Sequence, residues 1–224
     1  MSGEENLTHS TKCVNVVLVA TPTQASPVAE TRGDARRVAI RAAAVEQFMT
    51  HGYAATSMAK IAASAGVSRP ALYQYFSDKD DIFASAFASV FEERVDAALA
   101  ALEAGGDDVF ACLDGVLQRY DGDLWELTAA SPHNEELIAA KSEGVARAVG
   151  AEVDRLWLAV DSWLADFRPG RDAATKERRA GWRDVLRWSP GGMRYDQPSV
   201  AEYRRRLTAL ARGVAADINA ATTR

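Results

Sequence analysis

An all-α fold is what this sequence predicts, and three observations carry the prediction. Ala, Leu, Arg and Glu are abundant and strand-forming clusters are scarce, a balance that favours helix. Apolar residues recur at helical spacing from Ile40 onwards. Gly, Pro and short polar breaks then divide the chain into segments of helix length. With 48% apolar and 25% charged residues over 224 positions, the chain can bury a core as one large domain or two small ones.

Residues 1–31 stand apart. Val14 to Ala20 is apolar, but only Lys12 precedes it, where a secretory signal needs a basic region. Pro22, Pro27 and scattered Ser and Thr follow. A disordered tail is expected, and a second reading places the natural start downstream, because periodicity begins only after Gly33. Cys13 and Cys112 offer neither a metal spacing nor a disulfide framework, so no metal or cofactor is expected. No apolar run approaches the roughly 20 residues needed to span a bilayer. Without an export signal, the reducing cytoplasm is the default compartment.

The first periodic helix runs from Asp34 to His51, with Ile40, Ala43, Ala44 and Phe48 on one stripe. Gly52 follows as the residue able to take the left-handed conformation that closes a helix. Thr56 or Ser57 caps the next helix, which carries Met58, Ile61, Ala62 and Ala65 on one face and stops at Gly66. Ser68 caps a third, with Pro70 tolerated in its first turn, and Leu72 and Phe76 share a face up to Phe76. Ser77-Asp78 caps a fourth, from about Asp78 to Ala104, whose Asp80 and Asp81 suit the positive end of the helix dipole. A short helix, a Gly-containing turn and a second short helix make a helix-turn-helix, or else a plain helical hairpin. Small Ala62 permits close approach, Gly66 turns, and Val67 fills the gap between the helices.

The formal charge is −5, yet residues 32–81 carry seven Lys/Arg against five acids, while the flanking regions are acidic. That local excess suits a polyanion or is simply a solvated face.

Taken together, Ile40 to Phe48, Gly52-Tyr53 with Thr56-Ser57-Met58, Ile61-Ala62, Ala65 to Ser68, and Leu72 to Lys79 resemble the tetracycline-repressor (TetR) family, in order and in spacing, over about 50 residues. The resemblance implies a three-helix DNA-binding domain at 32–80 and a larger helical ligand-binding and dimerisation domain at 81–224, about nine helices in all. It also implies double-stranded operator DNA, a second copy of the chain and a small-molecule inducer as partners. Repression is the expected mode, relieved when the ligand favours a state with misplaced reading heads, the fourth helix carrying the change.

Helix three would then lie in the major groove. Arg69 can reach guanine or a phosphate, Ala71 a thymine methyl, and Gln74 adenine or a phosphate. Ser68 and Pro70 open that helix, and the resemblance implies phosphate contacts from the Tyr73 and Tyr75 hydroxyls. Lys79, Thr56, Ser57 and the start of helix two would grip the backbone. Lys60 departs from the family, many of whose members place an acid there to complete a capping box. It is either a phosphate contact or a solvated lysine. Tyr53 is expected to pack as core.

Beyond Ala104, helices are expected at roughly 107–120, 123–130, 134–167, 171–189 and 198–221, with a break in the third near Gly144 or Gly150 and a loop from Ser189 to Pro198. The last two would pair with their copies in a four-helix bundle. Val185, Leu186, Trp188, Leu207, Leu210 and Val214 are candidates for that interface or, equally, for the core. All five tryptophans lie in this half. Phe110, Trp125, Leu127, His133, Trp157 and Trp163 are candidates for an apolar ligand pocket, with plain core as the alternative for each. An enzyme is not expected. The three histidines form no metal or nucleophile motif, and Glu135 and Glu136 beside His133 fit a helix start better than an acid–base pair. A helical ligand carrier that binds no DNA is the remaining reading, and the intact Thr56–Lys79 segment argues against it.

Overall fold

The computed structural model describes residues 32–140, 143–167 and 172–222; the expected tail at 1–31 lies outside the described residues. The order is α1 (Arg32–Ala55), α2 (Met58–Ser64), α3 (Arg69–Leu72), α4 (Lys79–Ala104) and α5 (Val109–Leu117). A π-helical turn (Gln118–Gly122) leads into α6 (Asp123–Ala129), then α7 (Asn134–Ala139), α8 (Glu143–Phe167), α9 (Ala173–Gly192) and α10 (Val200–Thr222). Among the described residues there is no strand, and no helix is long and apolar enough to cross a membrane. Counting α5 to α6 as one run broken by the π-turn gives nine helices among the described residues. The all-α reading therefore holds.

The described chain forms two compact units, and the boundaries between them fall inside α4, the π-helical turn and α8. The first holds residues 32–96 and 120–155. Its core joins Ile40, Ala44 and Phe48 of α1, Met58, Ile61 and Ala62 of α2, and Leu72 of α3 with Phe76. Ile82, Phe83 and Ala86 of α4, Leu137 of α7 and Val145 of α8 complete it. Phe48 meets Phe83 edge-on, with centroids 4.8 Å apart. Each such burial contributes ~1.5–3 kcal/mol, against ~0–1 kcal/mol for a surface ion pair. Packing, not charge, holds this unit together.

The second unit holds 97–119 and 156–222. There α10 lies against α5 and α9, and Trp157, Trp163, Trp182, Tyr203 and Leu164 are buried. The Trp182 indole N–H donates to Asp217 at 2.7 Å. The Gln118 amide donates to the Arg204 carbonyl at 3.0 Å and to the Thr208 hydroxyl at 3.1 Å, tying the π-turn to α10.

The run expected at 134–167 divides near Gly144, one of the two expected breaks, into α7 and α8, and α8 continues through Gly150. The expected loop at Ser189 does not begin there; α9 continues through Pro190 to Gly192. Pro190 has no N–H to give the Leu186 carbonyl, so the last turn of α9 lacks that bond, and the buried Tyr203 hydroxyl donates to the Pro190 carbonyl at 3.2 Å. Of the residues expected at an interface or, equally, in the core, Leu186, Leu207 and Val214 are buried within this unit, whereas Val185 and Trp188 are 44% and 67% exposed.

Candidate nucleic-acid interface

At Gly52 (φ 78°, ψ 171°) the backbone leaves the helical path and ends the main run of α1. The turn that follows is held by several side chains. The Thr56 hydroxyl donates to the carbonyl of Gly52 at 2.6 Å and of Gln47 at 3.1 Å. Lys79 Nζ donates to the Tyr53 carbonyl at 2.9 Å and lies 4.1 Å from the centroid of the Tyr53 ring. That ring packs on Phe48 and Phe83, as expected for a core residue, and its hydroxyl bonds to Asp80.

Helix α2 starts at Ser57, whose hydroxyl accepts the Lys60 N–H at 3.3 Å. Lys60 Nζ turns back onto the Ala55 carbonyl at 2.8 Å. At the other end Gly66 adopts φ 64°. The Val67 N–H reaches the Ala62 carbonyl at 2.9 Å and the Gly66 N–H the Ala63 carbonyl at 3.2 Å. This pair of bonds is a Schellman closure, and it sets the angle at which α3 departs.

Ser68 caps α3 by accepting the Ala71 N–H at 3.2 Å, with Pro70 in the first turn. The α-helical part ends at Leu72, short of the expected Phe76. Gln74 and Tyr75 continue with bonds to residues three positions back, the tightening common at helix ends. This carries Phe76 into the core, while Arg37 of α1 lies 5.3 Å from its ring centroid and 5.8 Å from that of Tyr75. No spacing rule links α1 to the end of α3, so this contact of Arg37 is not legible in the sequence alone.

The candidates differ in exposure. Ser57, Lys60, Ser68, Arg69, Pro70, Tyr73 and Gln74 are exposed, Ala71, Tyr75 and Lys79 are half-buried, and Thr56 is buried with its hydroxyl turned inward. Arg69 donates to the Tyr73 hydroxyl at 3.3 Å and lies over its ring, so a long cation and a phenol stand together on the exposed side of α3.

The profile of the bacterial regulatory proteins, tetR family, matches residues 40–86, the segment that carries these candidates. Over that segment the chain is similar to the TetR family. The HTH-type transcriptional activator FasR of Mycolicibacterium smegmatis is 48% identical over 50 residues. That match covers 22% of this chain and 23% of FasR, so the likeness spans about a quarter of the relative. The fold is shared more widely. A Mesorhizobium loti protein assigned to the TetR-family regulators is 22% identical, with a TM-score of 0.63 over 84% of this chain and 98% of that one. A tetR-family transcriptional regulator of Streptomyces coelicolor is 18% identical, with a TM-score of 0.58 over 85% and 87% of the two chains.

The TetR-family segment stops before any of the six pocket candidates. Trp157 and Trp163 are buried in the second unit, where Phe110 lies under the Arg212 guanidinium, 5.3 Å from centroid to carbon. Trp125, Leu127 and His133 are half-buried in the first unit. His133 sits beside Glu136, its Nδ1 3.5 Å from the carboxylate.

Proposed function

We propose that this chain is a TetR-family transcriptional regulator that binds double-stranded operator DNA as a homodimer. The observation that supports it best is the face of α3. Arg69 of α3, and Tyr73 and Gln74 in the turn that continues it, stand exposed, while Leu72 and Phe76 of the same run are anchored in the core. Such a helix enters a major groove without rearrangement. Arg69 and Gln74 are the base-reading groups, with Ala71 beside them. Tyr73, Tyr75, Ser57, Lys60, Ser68, Pro70 and Lys79 line the phosphate flanks. Thr56 supports them from inside. Two copies reading half-sites ~34–36 Å apart, or a multiple of that, would supply the affinity one small head lacks.

The mode proposed is repression, relieved by a small, largely apolar ligand. The aromatic content of the C-terminal half supports an apolar ligand, with Phe110, Trp125, Leu127, His133, Trp157 and Trp163 as candidate contacts. Activation is the second reading, favoured by the FasR likeness.

The test is titration of the protein against a palindromic duplex selected from random DNA, at several salt concentrations, with Arg69→Ala alongside. Saturable binding that weakens steeply with salt and loses ~1–3 kcal/mol in the variant supports the reading. Binding indifferent to sequence and to Arg69 rejects it. A promoter–reporter fusion carrying the selected site separates repression from activation by the sign of its response.

A further inference from the structure

The turn between α1 and α2 is held from one side by α7, which lies outside the family-matched segment. Where Gly52 leaves the helix, the Ala54 N–H needs a new acceptor, and Glu136 Oε1 takes it at 2.6 Å across 82 residues of sequence. An ionised acceptor makes this a charge-assisted bond, stronger than a neutral one. The fit is close. A Cβ on Gly52 would collide with the Glu136 carboxylate and come within 3.0 Å of His133 Nδ1. Neighbouring contacts repeat the attachment. The Ser131 hydroxyl donates to the Met49 carbonyl at 2.7 Å and accepts the His133 N–H at 3.1 Å. Leu137, one residue past Glu136, packs in the same core as Ile40, Phe48 and Phe83.

We propose that Glu136 is a positioning residue of the reading head, whose carboxylate, by accepting the Ala54 N–H, fixes the α1–α2 turn and with it the pose of α2 and α3 on DNA. This rests on the DNA-binding reading above. Ala54 lies three residues before the Ser57 cap, so the turn it closes determines where α2 begins, and the Gly66 closure passes that setting to α3. Lys79 and Thr56 hold the carbonyls of the same turn, and Glu136 holds its N–H side. Without Glu136 the turn would sample further arrangements, and apparent affinity would fall in proportion to the competent fraction.

The experiment compares wild type, Glu136→Ala and Glu136→Gln, each as the full chain. One readout is titration of a labelled duplex selected by the wild type from random DNA, and the other is hydrogen exchange at the Ala54 amide. Glu136→Ala is expected to weaken binding by about fivefold or more and to expose the Ala54 amide. The salt slope should stay unchanged, because no phosphate contact is lost. Glu136→Gln keeps an oxygen that accepts the same N–H and is expected to restore most of the affinity and the protection. Should Glu136→Ala fail to fold, Glu136→Met keeps the side-chain bulk without the acceptor and takes its place. Wild-type affinity in the acceptor-less variant overturns the inference, as does equal loss in Glu136→Gln. A wild-type chain that selects no duplex overturns the DNA-binding reading itself, and this role with it, whatever the exchange data show.

Discussion

At Gly52 two demands coincide on one residue. The φ of 78° is a region that side chains rarely enter, and the space a Cβ would need is taken by Glu136. Gly→Ala can stabilise by ~0.4–1 kcal/mol where the backbone allows it. Here strain of ~1–3 kcal/mol opposes that gain, so Gly52→Ala is expected to lower stability in urea unfolding. Adding Glu136→Ala removes the collision and leaves the φ penalty, so the pair should be non-additive. Simple additivity would mean that the carboxylate does not occupy that space in solution. A different residue-scale device closes the loop between α9 and α10. Arg206 binds Asp196 through two bonds of 2.7 and 2.8 Å and donates to the Met193 carbonyl at 2.8 Å. These hydrogen bonds from Arg206 hold the Asp196 carboxyl below its ordinary range. A depressed carboxyl contributes stability that is fully present above its unfolded value, ~3.9, and is lost as pH falls through the folded one. Carbon-detected NMR of Asp196 should therefore show a midpoint below that of an unstructured aspartate, and Arg206→Ala should return it. A midpoint already at the ordinary value would show the pair open in water.

At the scale of the element, α3 is only one turn of α-helix and cannot stand on propensity. It depends on its cap and on Leu72. Ser68→Ala removes the acceptor for the Ala71 N–H and should cost ~0.5–2 kcal/mol in thermal unfolding. An unchanged melting curve would show that Pro70 alone fixes the start of α3. The same elements show how far the sequence was legible. Stripes at three- and four-residue spacing named Ile40, Ala44, Phe48, Ile61, Ala62, Leu72 and Phe76, all of which are buried. The Ser57 and Ser68 caps and the Gly66 closure followed from short-range chemistry, and the structure has all three; Gly52 takes the expected positive φ, but its ψ of 171° makes a kink rather than a left-handed closure, and α1 runs on to Ala55. What was hidden is long-range. Thr56 reads as a cap and instead turns its hydroxyl back onto α1. Glu135 and Glu136 read alike beside a helix dipole, and only the fold sends Glu136 to Ala54. Pro190 reads as a stop because the bond from Tyr203 that accompanies the continued helix comes from the next element.

At the scale of the whole molecule, a single head of this size reads too few base pairs for tight binding, so the proposed function requires two. The outward face of α9 and α10 is the place to look. Val185 and Trp188 are exposed on α9, Gly181 leaves room beside them, and Ala209, Gly213 and Ala216 form an exposed small-residue stripe on α10. A groove of about 420 Å³ lies between Trp182, Val185, Gly213 and Asp217. Large apolar side chains beside such grooves suit a second copy of the same face, since a two-fold pairing sets each Trp188 near its partner's small residues. Charge placed there is costly once the face is covered, so Trp188→Glu with Val185→Glu should give monomers in sedimentation at concentrations where wild type is dimeric. Neither residue belongs to the core, so the monomer should keep its helical content by circular dichroism. Linking two heads multiplies affinity by ~10²–10⁴ through effective concentration, and the monomer should lose that factor on a palindromic duplex. Its affinity for a single half-site should stay the same. If the double variant remains dimeric and binds the palindrome as wild type does, the pairing face lies elsewhere, and the buried Leu186, Leu207 and Val214 are left with a purely internal role.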